Sequence, residues 1–315
     1  VLLALTPLVP CASLAQQATF PVKPIRLVVP LAPGGGGDLV ARMIAQKIAE
    51  PLGQPVVVDN RPGGSTIIGT ELVARSAPDG YTLVVATSSH GINPSVYKLP
   101  FDAVKDFSGV AFIATSPMML TVHPGVPAKT VKELVGVARA RPGKLNFGSS
   151  GTASIPHLAG ELFNLTTGIK TMHIPYKGTG PALNDLLGGQ IEMMFASPIP
   201  TIPHVKSGKL RAIAMASEQR LQAMADLPTV AQSGYPGFEA GSYYIVLGPA
   251  GIPKDVVKRL SGEIIRATQA QDMHERLVAE GAEVVGTGPE QAIAYIAAQV
   301  ARWTKVVKSA GIKAD

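Results

Sequence analysis

The chain has 315 residues, of which 46% are hydrophobic, 16% charged and 5% aromatic, with 33 glycines, 27 prolines and a formal charge of +6. That much apolar surface can offset chain entropy, so a disordered or fibrous protein is excluded. A mild positive charge without a long basic run, and with few aromatics, disfavours a nucleic-acid partner and suits a small anion.

Residues 1–15, VLLALTPLVPCASLA, are uncharged and mostly apolar and end in Ser13-Leu14-Ala15 before Gln16. They are too short to span a bilayer, which takes about 20 residues. They read as the remnant of a secretory signal peptide cleaved near Ala15. The one cysteine, Cys11, falls inside it. The mature chain is therefore expected to lack disulfides, thiolate nucleophiles and cysteine metal sites, which fits a periplasmic location.

Beyond this segment, apolar runs rich in Val and Ile alternate with helical patterns, which predicts mainly parallel sheets flanked by helices. The length prior is about two domains. PIRLVVPLAPGGGGD leads into a helix with Leu39, Met43, Ile44 and Ile48 on one face. PVVVDNRPGGSTIIGTELVARSAPDGYTLVVATSS repeats strand, glycine loop and helix, and closes in a strand that ends in Thr87, Ser88 and Ser89. KLNFGSSGTASIPHLAGELFNL and MHIPYKGTGPALNDLLGGQIEMMFASP follow the same grammar, and KLRAIAMAS and GSYYIVLGP read as further strands. The Pro-rich passages TVHPGVPAKT and SGYPGFEAGS are the expected crossings between two lobes. In the last helix, Thr287 and Glu290 are placed as a capping box, and Trp303 falls on the core stripe with Ile296, Val300 and Val307.

Glycine loops that end a strand and open a helix present bare N–H groups to an anion. A nucleotide reading meets two obstacles: no Lys-Ser or Lys-Thr follows Gly34–Gly37, and the third glycine of a dinucleotide fingerprint would fall at Leu39 or Val40. Asp59 nevertheless ends the second strand where a ribose-binding acid would sit, so a Rossmann-like nucleotide-dependent enzyme stands as the alternative. The sequence Gly148-Ser149-Ser150-Gly151-Thr152 is not a nucleophile elbow. His157 and Glu161 share a helix face without a third metal ligand, so no metal and no cofactor is expected, and His157 is read as structural or ligand-contacting. Ser154 suits a helix cap and a ligand contact equally.

Taken together, VPLAPGGGGD, VVDNRPGGSTIIGTELVARSAPDGYTL, NFGSSGTASIPHLAGELF, HIPYKGTGPALNDLLGGQIEMMF, GKLRAIAMAS and PAGIPKDVVKRL make the chain resemble the Bug or TctC-type solute-binding receptors of tripartite tricarboxylate transporters. The resemblance implies a two-domain periplasmic binding protein of type II, with residues 19–117 plus 243–315 as one domain and 118–242 as the other. It implies no enzymatic activity, and capture of a small carboxylate in the interdomain cleft for delivery to membrane subunits. A ligand sensor without a dedicated transporter is the further alternative. Carried over residue by residue, the ligand site comprises Gly35, Gly36, Gly63, Gly64, Ser88, Ser149, Ser150, Thr152, Ser154, His157, Thr179 and Ala196. Ala196 stands where many relatives place an Asp that pairs with a ligand amino group, so a dicarboxylate or aromatic carboxylate is expected.

Overall fold

The run IRLVV puts Ile25, Leu27 and Val29 into one apolar cluster and Val28 into another, as a strand covered on both faces must. The computed structural model describes residues 20–312 except 35, 177, 222, 223 and 280. The expected signal segment, residues 1–15, lies outside the described residues. The IRLVV run is β1 (Ile25–Val29), followed by α1 (Gly36–Leu52), β2 (Val56–Asn60), a short 3-10 turn at Gly64–Thr66, α2 (Ile67–Ala74), β3 (Thr82–Ala86), α3 (Ser88–Val96) and the long β4 (Phe107–Pro117). Next come β5 (Met119–Val122), α4 (Val131–Ala140), β6 (Asn146–Ser149), α5 (Ile155–Thr167), β7 (Met172–Pro175), α6 (Thr179–Leu187), β8 (Met193–Ala196), α7 (Pro198–Lys206) and β9 (Arg211–Met215). The chain ends with β10 (Gly241–Pro249), α8 (Lys254–Gln269), α9 (Gln271–Ala279), β11 (Glu283–Thr287) and α10 (Pro289–Ala310). No described helix is long and apolar enough to cross a membrane.

Among the described residues the strands form two sheets, in the orders β11-β4-β10-β3-β1-β2 and β7-β6-β8-β5-β9. Strands joined through a helix run parallel: β1 with β2 and β3, and β6 with β7 and β8. β5 and β10 run against their neighbours, and β11, joined to β10 through α8 and α9, runs against β4. For β5 and β10 the cause is the way the chain changes sheet. β5 follows β4 after Met118 alone, and β10 begins directly after the connection from β9, so each enters its sheet at the junction and runs away from it. Met119, which opens β5, pairs with Ala196, which ends β8; Gly241, which opens β10, pairs with Pro117, which ends β4. The carboxyl ends of the parallel strands in both sheets therefore face the junction.

One expected crossing is corrected. TVHPGVPAKT does not carry the chain between sheets, because β4 continues through Met118 into β5 before that passage begins. The return crossing does fall within SGYPGFEAGS, at Ala240 and Gly241. The capping box is also absent. Thr287 is used up as the last residue of β11, and Gly288 takes the cap position ahead of Pro289.

Helices α1 and α8 cover one face of the first sheet with Ile44, Ile48, Leu260 and Ile264, and Val73, Ala292 and Ile296 cover the other. The largest cluster of the second sheet takes in Phe147, Phe163, Phe195 and Phe238 together with Trp303, Val306 and Val307 of α10. Trp303 is core, as its spacing predicts, and its Nε1–H donates to Gln299 Oε1 at 2.9 Å. Helix α10 thus backs the first sheet through Ile296 and seals the second through Trp303. On α5, Gly160 lets the helix lie against Phe147, whose ring any Cβ there would strike.

Candidate functional site

Between the two carboxyl edges lies a cavity of about 280 Å3. Its first-lobe wall is Pro30, Leu31 and Ala32 after β1, Pro62, Gly63, Ser65 and Thr66 after β2, and Ser89, Asn93 and Tyr97 of α3 and the residue that follows it. Its second-lobe wall is the loop Ser150–Ser154 between β6 and α5. Among the described residues this wall carries no ionised side chain. It offers hydroxyls, an amide and backbone groups at the starts of α3 and α5, where the helix dipole favours negative charge.

Backbone strain collects here. Three described non-glycine residues have positive φ, namely Ser65 (53°), Thr66 (78°) and Ala153 (59°), and all three are in the cavity wall. Such conformations cost ~1 to 3 kcal/mol each and persist only where neighbours hold them. Asn93 Nδ2 donates to Ser65 O at 2.7 Å and reaches Thr66 Oγ1 at 3.4 Å. The Ser65 hydroxyl meets the Tyr97 hydroxyl at 3.2 Å. In the other lobe the Ala153 N–H donates to His157 Nδ1 at 3.0 Å, and Ser154 Oγ donates to Gly151 O at 2.6 Å. Gly63, at φ 132°, holds a conformation that L side chains rarely adopt.

The first glycine loop is tied by Asp38. Its buried carboxylate accepts Gly34 N–H and Asn60 Nδ2 at 2.9 Å each, and Arg42 Nε at 3.0 Å. Burial opposes its charge, but these bonds outweigh it and hold the carboxyl below the ordinary range. Asp59, the acid a ribose would need, is committed elsewhere: Arg26 Nε donates to its Oδ2 at 2.7 Å and Arg61 Nε to its Oδ1 at 3.0 Å.

Of the residues expected from sequence, Gly63, Ser150, Thr152 and Ser154 are brought into the cavity wall. Ser154 occupies the cap position of α5 but spends its hydroxyl on Gly151 O. Gly64 is exposed beside the wall, in the 3-10 turn. Gly36 abuts Tyr244, whose hydroxyl a Cβ would strike. Gly35 lies outside the described residues. Thr179 opens α6 one loop away, where the Gly178 N–H donates to Ser150 O at 3.2 Å. Four expected contacts stand behind the wall. Ser88 is buried at the first position of α3, so that Ser89 faces the cavity. Ser149 is fully buried with its Oγ 2.6 Å from His173 Nε2, and His157 is buried as the acceptor for Ala153. Ala196 is fully buried with Ala182, Leu186 and Met194, because the last residue of β8 turns into the apolar side of its sheet. Sequence reasoning missed Ser89, Asn93 and Tyr97. Their spacing of four places them along one face of α3 and its extension, which was the available signal.

Two α/β lobes meeting at their carboxyl edges, with a donor-rich cleft between them whose described wall carries no ionised side chain, have the architecture of a periplasmic binding protein. Residues 40–312 match the model of the tripartite tricarboxylate transporter family receptor, TctC, and the chain belongs to that family. It is 37% identical over 301 residues to protein BugT of Bordetella pertussis, covering 94% of this chain and 91% of that one. Among solved structures it is similar to Rpa4515 of R. palustris with adipate, at 35% identity and TM-score 0.83, covering 94% of this chain and 100% of that one. It is also similar to MatC of Rhodopseudomonas palustris with bound malate, at 32% identity and TM-score 0.77, covering 91% and 100%.

Proposed function

We propose that the protein is an extracytoplasmic receptor that captures a small carboxylate between its lobes and passes it to the membrane subunits of a tripartite tricarboxylate-type transporter. The observation that carries this reading is the cavity wall itself, in which both lobes present neutral donors on strained, side-chain-braced backbone and no described charge. Such a wall binds an anion reversibly and supplies no nucleophile paired with a base, which supports a receptor without catalytic activity. Relatives solved with adipate and malate support a carboxylate as ligand.

In this reading the domains are residues 19–117 plus 243–315 and residues 118–242, and the protein works in the periplasm. One ligand carboxylate lies against Gly63 and Gly64. The other end lies against Ser150, Thr152 and Ser154, within reach of Thr179. With Ala196 buried and apolar, the end of β8 offers an amino group no counter-charge, so nitrogen-free acids are preferred over amino acids. Calorimetry with adipate, malate, benzoate, aspartate and NAD tests this. Binding of a nitrogen-free acid ahead of aspartate is expected. Binding of NAD with turnover, or of none of the acids, overturns it.

A further inference from the structure

Behind the second-lobe wall two histidine rings are stacked. His157 of α5 and His173 of β7 have centroids 3.7 Å apart and planes within 7° of parallel, and Phe147 packs on His173 at 5.0 Å. Each ring holds part of the loop that faces the cavity. His157 Nδ1 accepts the N–H of Ala153, the loop's left-handed residue. His173 Nε2 meets Ser149 Oγ, which in turn accepts the Gly151 N–H at 3.1 Å and lies 3.0 Å from Gly151 O.

The contact to Ala153 needs a lone pair on Nδ1, which only a neutral ring has; a protonated ring donates from both nitrogens and would face N–H with N–H. Two charged rings in a face-to-face stack also repel. We propose that His157 and His173 are positioning residues for ligand capture: as a neutral stacked pair they hold the Ser149–Ser154 loop in its binding shape, and protonation of the pair releases the loop and the ligand with it. This rests on the reading of that loop as one wall of a carboxylate site.

Burial pushes both rings down to about 4, and for His157 the neighbouring His173 adds to the effect. The pair therefore stays neutral near pH 7 and switches on the acid side. Few charges surround it. Glu161, on the same helix, has Oε1 3.8 Å from His157 Nε2, and burial raises its own pKa. Of the strands packed against α5, β6 and β8 bring no titratable side chain, β7 brings His173 itself, and β10 brings Tyr243 and Tyr244. Helix α10 brings Glu290, Tyr295, Lys305, Lys308 and Arg302, the last paired with Glu239.

The test uses the full chain and adipate as probe. His157→Asn puts an amide oxygen near the Nδ1 position and His173→Gln an amide near Nε2, so the double variant keeps both contacts without a titrating ring. Adipate itself titrates in this range, and the double variant reports that part, so the ratio of the two affinities isolates the histidines. With each protein referred to its own affinity at pH 7, the wild type is expected to weaken about twofold further than the double variant at pH 4 and about tenfold further at pH 3, as protonation of the rings competes with binding. Superimposable pH profiles overturn the proposal. If adipate fails to bind at pH 7, the carboxylate reading loses that ligand, and ligand-free wild type decides the proposal. There, ring-nitrogen NMR shifts of labelled histidine are compared with amide exchange of residues 150–154. Protection lost in step with ring protonation supports the proposal; protection that survives protonation of both rings refutes it.

Discussion

Asn93→Ala separates a braced site from a merely polar one. Asn93 is 4% exposed, and its Nδ2 is the donor to Ser65 O at 2.7 Å, with Thr66 Oγ1 at 3.4 Å. Truncation leaves a part-buried carbonyl without this donor, a loss of about 1 to 3 kcal/mol. It also leaves two left-handed residues that store ~1 to 3 kcal/mol each without their brace. The turn is then expected to relax, which recovers part of the loss, so urea unfolding followed by circular dichroism should show a net destabilisation of about 1 to 2 kcal/mol. Relaxation moves Ser65 and Thr66 off the cavity wall, and a ligand must rebuild the turn in order to bind. The affinity for adipate, measured by calorimetry, should fall roughly ten- to a hundredfold. Ser65→Gly removes a hydroxyl and eases the strain, and should bind far better than Asn93→Ala. Loss of stability in Asn93→Ala with full retention of affinity would refute the idea that the strained turn is the binding element.

Trp303→Ala should cost ~3 to 5 kcal/mol, because the ring is 1% exposed in the second-lobe cluster while its helix backs the first sheet. Calorimetric unfolding should then split into two transitions, whereas one shifted transition would argue against α10 as the bridge. His90 is buried with its Nε2 2.8 Å from Ala103 O, its Nδ1 unpartnered among the described residues, and its pKa lowered to about 4 by burial, against an upward pull from the Ala103 hydrogen bond. Its folded pKa lies below the unfolded value, so the unfolded chain takes up the proton first and stability is lost as pH falls from about 6.5 towards 4, by roughly 3 kcal/mol. His90→Gln should flatten that part of the stability profile in urea titrations at pH 7 and 4.5, and an unchanged slope would exclude His90 as its source. Gly160→Val should drive a branched side chain into Phe147 and destabilise by about 1 to 3 kcal/mol in thermal melts, with a neutral result contradicting the close approach of α5 to β6.

What the sequence makes legible here is what local rules encode. The strand, glycine loop and helix grammar is local, so the parallel strands, the loops at their carboxyl ends and the core position of Trp303 can all be read from it. The reversed strands β5 and β10 cannot, because their direction depends on where the chain changes sheet, and the single residue Met118 between β4 and β5 is too short a step to read as a connection. Pro-rich passages attract the eye instead, and one of them lies wholly within the second lobe. Gly63, at φ 132°, is visible because few other residues suit its backbone. Ser65, Thr66 and Ala153 are invisible for the converse reason: left-handed φ runs against their own preference, and only contacts from Asn93 and His157 impose it. Ser88, Ser149 and Ala196 show the remaining limit. Their places at strand ends and helix starts are legible, but a rotation of one residue decides whether a side chain faces the cavity or the core.

The two half-sites are built alike, and this bears on where the free energy of capture goes. In each lobe a strained loop follows a strand, and a side chain from a nearby helix, Asn93 of α3 or His157 of α5, holds it in place before any ligand arrives. Loop ordering is then already met by folding, and binding has to meet mainly the approach of one lobe to the other. The fold favours rotation over separation for that approach. The lobes are joined covalently at Pro117–Met119 and at Ala240–Gly241, and Trp303 lies beside both crossings, around a polar cavity of about 20 Å3 shared with Pro117, Ala240 and Gly241. Arg302 Nη1 reaches both the carbonyl and the carboxylate of Glu239, just ahead of the second crossing, at 3.1 and 2.9 Å. An apolar bridge so close to the covalent links loses little contact when the lobes turn, and would lose much if they parted. Rigid half-sites on a tethered hinge make affinity depend on how well a ligand spans the gap, which places the discrimination among carboxylates in their length and shape, because the wall that receives them carries no described charge.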